Sequence, residues 1–286
     1  MKYVLIINPK SGQKNHKLIL KELRKHFLGK DLVIKVTTKQ GDAITYAKKA
    51  KADVVIAAGG DGTVNEVING LMQKSINSRP RLGIIPAGTS NMVARSLSIP
   101  KNLAKAVEII SNNRRKDLDI GKVNKRFFAI GCGVGLDAEM YKNVEPKIKK
   151  IFGEVAYPLS FIKTVFNYKP HRLKIRINHE SHYGYYVLIC NITKFHKLFD
   201  MIPKSRNDDG YFDVIIIKKK EIGDLFRCMF GVATKQMHKF KDLVHVRAKK
   251  IKVSSSEKVI AHADAEIIGK TPVSVKMYER ALEVIC

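Results

Sequence analysis

The segment 54–71, VVIAAGGDGTVNEVINGL, constrains the fold more than any other part of the chain. A smooth apolar strand stops on Gly59, Gly60, Asp61 and Gly62, and an apparent helix resumes beyond them. A turn from strand to helix needs at most one glycine for its geometry, so three within four residues indicate that something approaches the backbone closely there. A phosphate is the visitor such a loop suits, because the helix behind it aims free N–H groups and a positive dipole end at the turn.

The rest of the first half repeats the alternation. Residues 3–7 read as a buried strand, 16–27 as a helix, 32–37 as a second strand and 42–49 as a short helix with Asp42 as its cap. The strand 53–58, a helix from about 64 to 72, the strand 82–85 and a helix over 103–110 follow. Strands and helices alternating at this spacing predict an α/β domain with a parallel sheet covered on both faces, whose ligands sit at the carboxyl ends of the strands. The turns at those ends are NPKSGQKN, TTKQGDA, GGDGT and PAGTSN, and each presents small, hydroxylic or amide residues where a ligand would lie.

After residue 118 the pattern changes to short β runs, KRFFAIGCGVG, HRLKIRI, YGYYVLICNI, YFDVIIIKK, LVHVRAKKIKVSS and TPVSVKMY, bounded by Gly, Pro, Asn and Asp. They predict a C-terminal antiparallel β-sandwich, with helical interruptions near 141–168 and 222–239. The expected division is therefore 1–118 for the nucleotide-binding α/β domain and 119–286 for the β-sandwich substrate domain, the last residues being able to return to the first.

Composition narrows the class. The chain of 286 residues is 45% hydrophobic, enough to fill real cores, and its 53 Lys+Arg against 26 Asp+Glu give a formal charge of +27. That excess concentrates anionic partners near the protein, whether nucleic acid, acidic membrane or phosphorylated metabolite. Nucleic acid is disfavoured, since there is no Trp and no RNP-like motif. Four dispersed cysteines, with no CxxC pair, argue against zinc fingers and disulfides and fit buried thiols. No apolar run reaches the roughly 18–20 residues of a membrane span, and the run 3–7 is too short for a signal peptide, so a cytoplasmic protein is expected. Basic runs at 114–116, 147–150, 218–220 and 249–252 would hold it peripherally on an anionic bilayer. The apolar residues within 148–166 suit either an acyl entrance or core.

The glycine turn is neither a Walker A loop nor the GxGxxG dinucleotide fingerprint. Taken together, GGDGTVNEVINGL, PAGTSNMVAR, NPKSG, QGDA, NDDGYFDV and HADAEIIGKTP resemble the diacylglycerol kinase and sphingosine kinase family of lipid kinases, in particular its soluble bacterial members. The core motif is shared more distantly with NAD kinases and phosphofructokinases, whose fold the first domain should then have. The resemblance implies an ATP-dependent, magnesium-requiring kinase that transfers the γ-phosphate to a lipid hydroxyl such as that of diacylglycerol. It places ATP against Asn8, Pro9, Lys10, Ser11 and Gly12, Thr37, then Gly59, Gly60, Asp61, Gly62, Thr63, Val64, Asn65 and Glu66, and Thr89. It places a magnesium-stabilised loop at Asp209 with backbone oxygens of Arg206 and Tyr211, and makes Asp264 and Glu266 the candidates for the catalytic base.

The residues themselves suit that chemistry, which needs positioned phosphates, a metal to neutralise charge and an in-line acceptor. Gly59 and Gly60 clear the approach, Asp61 is placed to hold a metal or a ribose hydroxyl, and Thr63 to cap the following helix. His262 would share a strand face with Asp264 and reads as a histidine packed beside the site. Two positions depart from the family: Met92 stands where many members have aspartate, and Ala265 where they have glycine. The alternatives are a kinase of a non-lipid hydroxylated acceptor, like the NAD kinases, and a non-catalytic protein that binds nucleotide and anionic lipid. A homodimer paired through sheet edges of the second domain is also open.

Overall fold

The computed structural model describes residues 1–11, 16–143, 164–192, 194–196, 199–200, 202, 205–236 and 239–286. The chain divides into two units, Met1–Ile120 with Glu279–Cys286, and Gly121–Tyr278.

The first unit runs β1 (Lys2–Ile7), α1 (His16–His26), β2 (Asp31–Val36), α2 (Asp42–Lys49), β3 (Val54–Gly59), α3 (Asp61–Leu71), β4 (Arg81–Pro86), α4 (Met92–Ser96) and α5 (Leu103–Asn112). Its strands pair in parallel in the order β2-β1-β3-β4. The far end of the last strand of the chain then adds beside β4, with Val284 opposite Leu82. Every residue of β3 is buried, as a central strand covered on both faces requires, whereas the edge strand β2 is half exposed. Tyr3, Leu5, Ile7, Val54, Ile56 and Ile85 of the sheet pack with Ile19 and Leu23 of α1, Phe27 just past its end, and Val107 and Ile110 of α5. Ile7 aligns with Val36 and with Ala58, and Gly59 with Pro86, so all four strands end level and their turns emerge along one edge.

Three local expectations change. Helix α3 begins at Asp61 rather than near 64, because Gly60 is extended and Gly62 is already helical; its cap position is Gly60, with no side-chain cap, so Thr63 lies inside the helix. Helix α2 is preceded by Gly41 in the left-handed region, φ 88°, and Asp42 is its first residue rather than its cap. The short helix α4 was not expected at all; it follows Asn91, which is held at φ 48°.

The second unit shares β5 (Arg115–Val123) with the first and continues through β6 (Arg126–Phe128), β7 (Gly131–Val134), α6 (Leu136–Asn143), β8 (Leu173–Ile177), β9 (Glu180–Gly184), β10 (Tyr186–Cys190), β11 (Lys194–His196) and β12 (Phe199–Asp200). Then come β13 (Phe212–Ile217), α7 (Ile222–Ala233), β14 (Leu243–Ala248), β15 (Lys250–Ser254), β16 (Ile260–Ala263), β17 (Glu266–Lys270) and β18 (Val273–Ile285). One antiparallel sheet is ordered β14-β13-β10-β7-β16-β17. The start of β18, β15, β8 and β9 make the other. Inward residues of both sheets, among them Val134, Ile175, Val187, Phe212, Val214, Ile251, Ala261 and Val275, share one core. That is a β-sandwich. Cys132 is buried in that core and Cys190 in a separate cluster with Tyr186, Ile215 and Leu225, and burial pushes both thiols well up, so they are inert packing groups. The apolar stretch 148–163 lies outside the described residues.

Gly70 sits in the interior of α3, where its Asn-Gly pair would ordinarily signal a turn, because a β-carbon there would overlap Ile44 O and the side chain of Ala47 on α2. Gly70→Ala is therefore expected to lower stability by about 1–2 kcal/mol, overpacking outweighing the gain in helix propensity. A reduced urea midpoint with an unchanged slope checks this.

Candidate active site

Four turns meet at the level edge of the parallel sheet. In the first, Asn8 Oδ1 accepts the Lys10 N–H at 2.9 Å and Asn8 O accepts the Ser11 N–H at 3.2 Å, folding NPKS into a tight turn. The amide of Asn8 reaches Thr63 Oγ1 at 3.3 Å, and Ser11 Oγ lies 3.4 Å from the same oxygen. Thr63 thus ties the first loop to the first turn of α3. Pro9 and Lys10 are exposed, and Gly12 lies outside the described residues.

The second turn is closed by Asp42, whose Oδ2 accepts the N–H groups of Thr38 and Lys39 and the Thr38 hydroxyl at 2.8, 3.1 and 2.8 Å. The Thr38 and Lys39 amides, followed by the Thr38 hydroxyl, hold that carboxyl below its ordinary range. Glu66 accepts the Gly41 N–H at 3.0 Å, so this residue of α3 buttresses the second turn. Thr37 is buried, its hydroxyl directed at Ile7 O at 3.4 Å.

The third and fourth turns touch through backbone alone. A β-carbon on Gly88 would overlap Gly60 Cα, and one on Gly60 would lie 3.2 Å from Gly88 Cα. Gly59 is equally constrained, since a β-carbon there would overlap Thr63. Asn91 holds the fourth turn by a reciprocal pair, accepting the Gly88 N–H at 2.8 Å and donating to Gly88 O at 2.7 Å. Asp61 Oδ1 accepts the Val93 N–H at 3.3 Å. Thr89 is exposed, whereas Val64 and Asn65 are buried, and Asn65 bonds Asn69 one turn on. The structure therefore gathers Asn8, Ser11, Thr37, Gly59, Gly60, Asp61, Gly62, Thr63 and Thr89 along one edge and turns Val64 and Asn65 inward. Gly88 and Asn91 were quoted within PAGTSN but given no role by the sequence reading. Their signal, a glycine followed three residues later by a short amide that can close the turn, was present.

In the second unit, Asp264 and Ala265 form the hairpin turn between β16 and β17, both in the left-handed region, at φ 47° and 66°. The Asp264 carboxylate accepts the N–H groups of Ala129, Ile130 and Gly131 at 2.8, 2.8 and 3.0 Å, while its own N–H donates to Gly131 O at 2.9 Å. It is an anchor for the bend that divides FFAIGCGVG into β6 and β7. Glu266, partly exposed, pairs with Arg126 at 2.5 Å. His262 is buried and bonds Asp137 at 2.5 Å, its ring 4.5 Å from that of Tyr141. Gly133 permits this pair, since a β-carbon there would overlap both side chains. Neither Arg126 nor Asp137 carries a local signal, because each meets its partner across more than a hundred residues. A cavity of about 340 Å³ in this unit, lined by Glu139, Tyr168, Lys169, His171 and Lys258 among others, contains none of the residues singled out by sequence.

The loop 205–211 binds its acids differently from the expected arrangement. Asp209 pairs with Arg247 through Oδ2 and accepts the Tyr211 N–H at 3.1 Å through Oδ1; Arg206 pairs with Asp208 at 2.8 Å. Arg247 and Lys249 also lie over the Tyr211 ring, each 4.7 Å from its centre. Among the described residues no three His, Cys, Asp or Glu side chains cluster to hold a metal. Of the expected donors, the Asp209 carboxylate and the backbone oxygens of Arg206 and Tyr211, the carboxylate is already engaged by Arg247, and a guanidinium on the same carboxylate opposes each added positive charge by several kcal/mol, even at an effective dielectric of about 20.

Two measurements follow from this geometry. Ala265→Gly is expected to raise stability by about 0.5–1 kcal/mol, because the penalty for alanine in the left-handed region exceeds the added freedom of the unfolded chain; a higher urea midpoint checks it. Arg247→Gln and Asp209→Asn should each lower stability by a similar amount, about 0.5–1 kcal/mol for this half-exposed pair, and the double variant by no more. A chelator should leave the wild-type midpoint unchanged, whereas a loop held by an ion would respond to chelation and tolerate loss of Arg247.

The chain matches the model of the diacylglycerol kinase catalytic domain over residues 2–123, and that of the YegS C-terminal NAD kinase beta sandwich-like domain over residues 131–286. It is 33% identical over 279 residues to the diacylglycerol kinase of Bacillus subtilis (strain 168), covering 94% of this chain and 90% of that protein. The diacylglycerol kinase of Staphylococcus aureus (strain MRSA252) is 32% identical over 290 residues, with 98% and 90% covered. A solved structure of a diacylglycerol kinase from Bacillus anthracis str. Sterne superposes with a TM-score of 0.82 at 31% identity, over 99% of this chain and 96% of that one.

Proposed function

The chain belongs to the diacylglycerol kinase catalytic-domain family and is a lipid kinase that moves phosphate to an alcohol; from that premise we propose that its donor is magnesium ATP and its acceptor the free hydroxyl of diacylglycerol. The observation that carries this reading is the floor of bare backbone where Gly60 meets Gly88, in front of a helix whose first turn no side chain caps. Phosphate oxygens accept from backbone N–H groups of Gly60, Asp61, Gly62 and Thr63, and the helix dipole favours their charge. The amide and hydroxyls of Asn8, Ser11 and Thr63 add polar partners, with Pro9 and Lys10 on the exposed flank of that loop. Asp61 would supply a carboxylate to magnesium bound with ATP, which would neutralise phosphate charge, and Thr37 and Thr89 would border the nucleotide. Val64, Asn65 and Glu66 act by holding α3 and the second turn in place.

On the acceptor side the two acids divide the work. The Asp264 carboxylate is committed to three backbone amides, which supports Glu266 as the base. Glu266 takes the hydroxyl proton as that oxygen bonds to the γ-phosphorus and the bond to ADP breaks. Arg126 fixes the Glu266 side chain. With a formal charge of +27, the enzyme works peripherally on an anionic bilayer; among the described residues no helix is long and apolar enough to cross one.

The test is transfer of the ATP γ-phosphate into organic-soluble product from defined lipids in mixed micelles, comparing diacylglycerol with sphingoid base, phosphatidylglycerol and polar alcohols. Diacylglycerol should be labelled; label on a polar alcohol alone would replace the reading. Glu266→Gln should reduce kcat by about 10²–10⁴ while its urea midpoint falls only by the roughly 1 kcal/mol that the lost pair with Arg126 is worth. Asp264→Asn should lose activity together with about 2–4 kcal/mol of stability, because it sets an amide donor against amides that lose their carboxylate.

A further inference from the structure

Helix α7 is apolar on the side it buries and also on the side it exposes. Leu225 and Cys228 enter a core with Tyr186, Ile215, Ile217 and Leu243, and the helix lies so close to Phe240 that a β-carbon on Gly231 would overlap that ring. One turn apart on the opposite side, Phe226, Met229 and Phe230 are 43%, 40% and 64% exposed. These three stand at the i, i+3, i+4 spacing that puts side chains on one helix face. A water-facing helix ordinarily carries charge there, and a contiguous exposed apolar patch marks a surface that docks.

The polar surroundings decide what it docks on. Lys218, Lys219 and Lys220 precede the helix and Lys235, Lys239 and Lys241 follow it, all of them exposed. The acids nearby are outnumbered: Asp224 and Asp242 share Arg227 at 2.9 and 2.7 Å, and Glu221 lies 4.0 Å from Lys220, so three carboxylates face six lysines and an arginine and the surroundings stay positive. An apolar strip between lysine clusters suits an interface that is apolar inside and negative at its surface. A second copy of the chain would bring the same lysines against one another, so charge disfavours a symmetric dimer through this face.

We propose that α7 is the element by which the protein docks on an anionic bilayer, with Phe226, Met229 and Phe230 entering the acyl boundary and the flanking lysines resting on the headgroups. The inference rests on the lipid-kinase reading for its purpose but not for its test. The whole chain is sedimented with vesicles of phosphatidylglycerol and phosphatidylcholine, and with phosphatidylcholine alone. Wild type should bind the anionic vesicles, and the variant Phe226→Ser, Met229→Ser, Phe230→Ser should lose on the order of tenfold or more in affinity. Lys218→Gln with Lys219→Gln should weaken binding on the order of tenfold or more at low salt, with no effect on neutral vesicles. Because the chain has no tryptophan, Phe230→Trp supplies a single fluorophore, whose emission should shift to the blue on anionic vesicles and be quenched by brominated lipid.

Equal vesicle binding by the triple serine variant, or a tryptophan at 230 that does not shift, would overturn the proposal. So would a wild-type dimer in solution that the serine variant dissolves, which would give the face to a second copy. Phosphorylation of a monomeric short-chain diacylglycerol separates the two readings. If it proceeds while vesicle binding fails, docking is wrong and the activity stands; if vesicles bind and no such acceptor is phosphorylated, the activity assignment fails alone.

Discussion

The contact between Gly60 and Gly88 governs the first unit. Two turns from neighbouring parallel strands cross with no side chain between them, and any β-carbon on Gly88 would push them apart. The closeness follows from the register, since Gly59 and Pro86 end level and their turns leave the sheet side by side. Everything polar at that edge is then arranged around the crossing. Asn91 locks one turn from below, Thr63 draws in the Asn8–Ser11 loop, and Glu66 holds the turn that follows β2. The phosphate site proposed at this edge would need this stiffness, because amides that must rearrange to meet a charge lose much of what they gain.

The second unit uses charge for the same end. Several of its described acids bind backbone or base. Asp264 collects three amides, Glu266 takes Arg126, Asp137 takes His262, and Asp209 takes Arg247. In a chain with 53 basic and 26 acidic residues, carboxylates are the scarcer partner, and the described ones in this unit are largely spent on fixing loops and hairpins. The excess cations are left outside, where they create the field that an anionic lipid surface would meet. The exposed strip of α7 lies between two such groups of lysines.

Much of this was legible in the residues. Apolar runs alternating with amphipathic ones are read directly as a covered parallel sheet, because periodicity reports how many faces of a segment are buried. Helix boundaries were less legible. Gly62 looked like the end of a turn but is already helical, and the short helix that Met92 begins had no signal, since glycine and isolated apolar residues do not reveal backbone conformation by themselves. The different partners of Asp264 and Glu266 had no local signature, because they depend on where the bend at 129–131 and the side chain of Arg126 pass.

The sequence by itself determined the two architectures, the glycine-rich turns along one edge of the first sheet and the six motifs that mark the family, since each resides in local pattern and near-neighbour chemistry. Only the tertiary structure decided which polar groups are already satisfied. It engaged Asp264 with amides, Asp209 with a guanidinium and His262 with an aspartate, and it turned one apolar face of α7 outward. Those outcomes depend on partners between about 15 and 135 residues distant along the chain, and no period or spacing encodes a contact made only when remote strands pair.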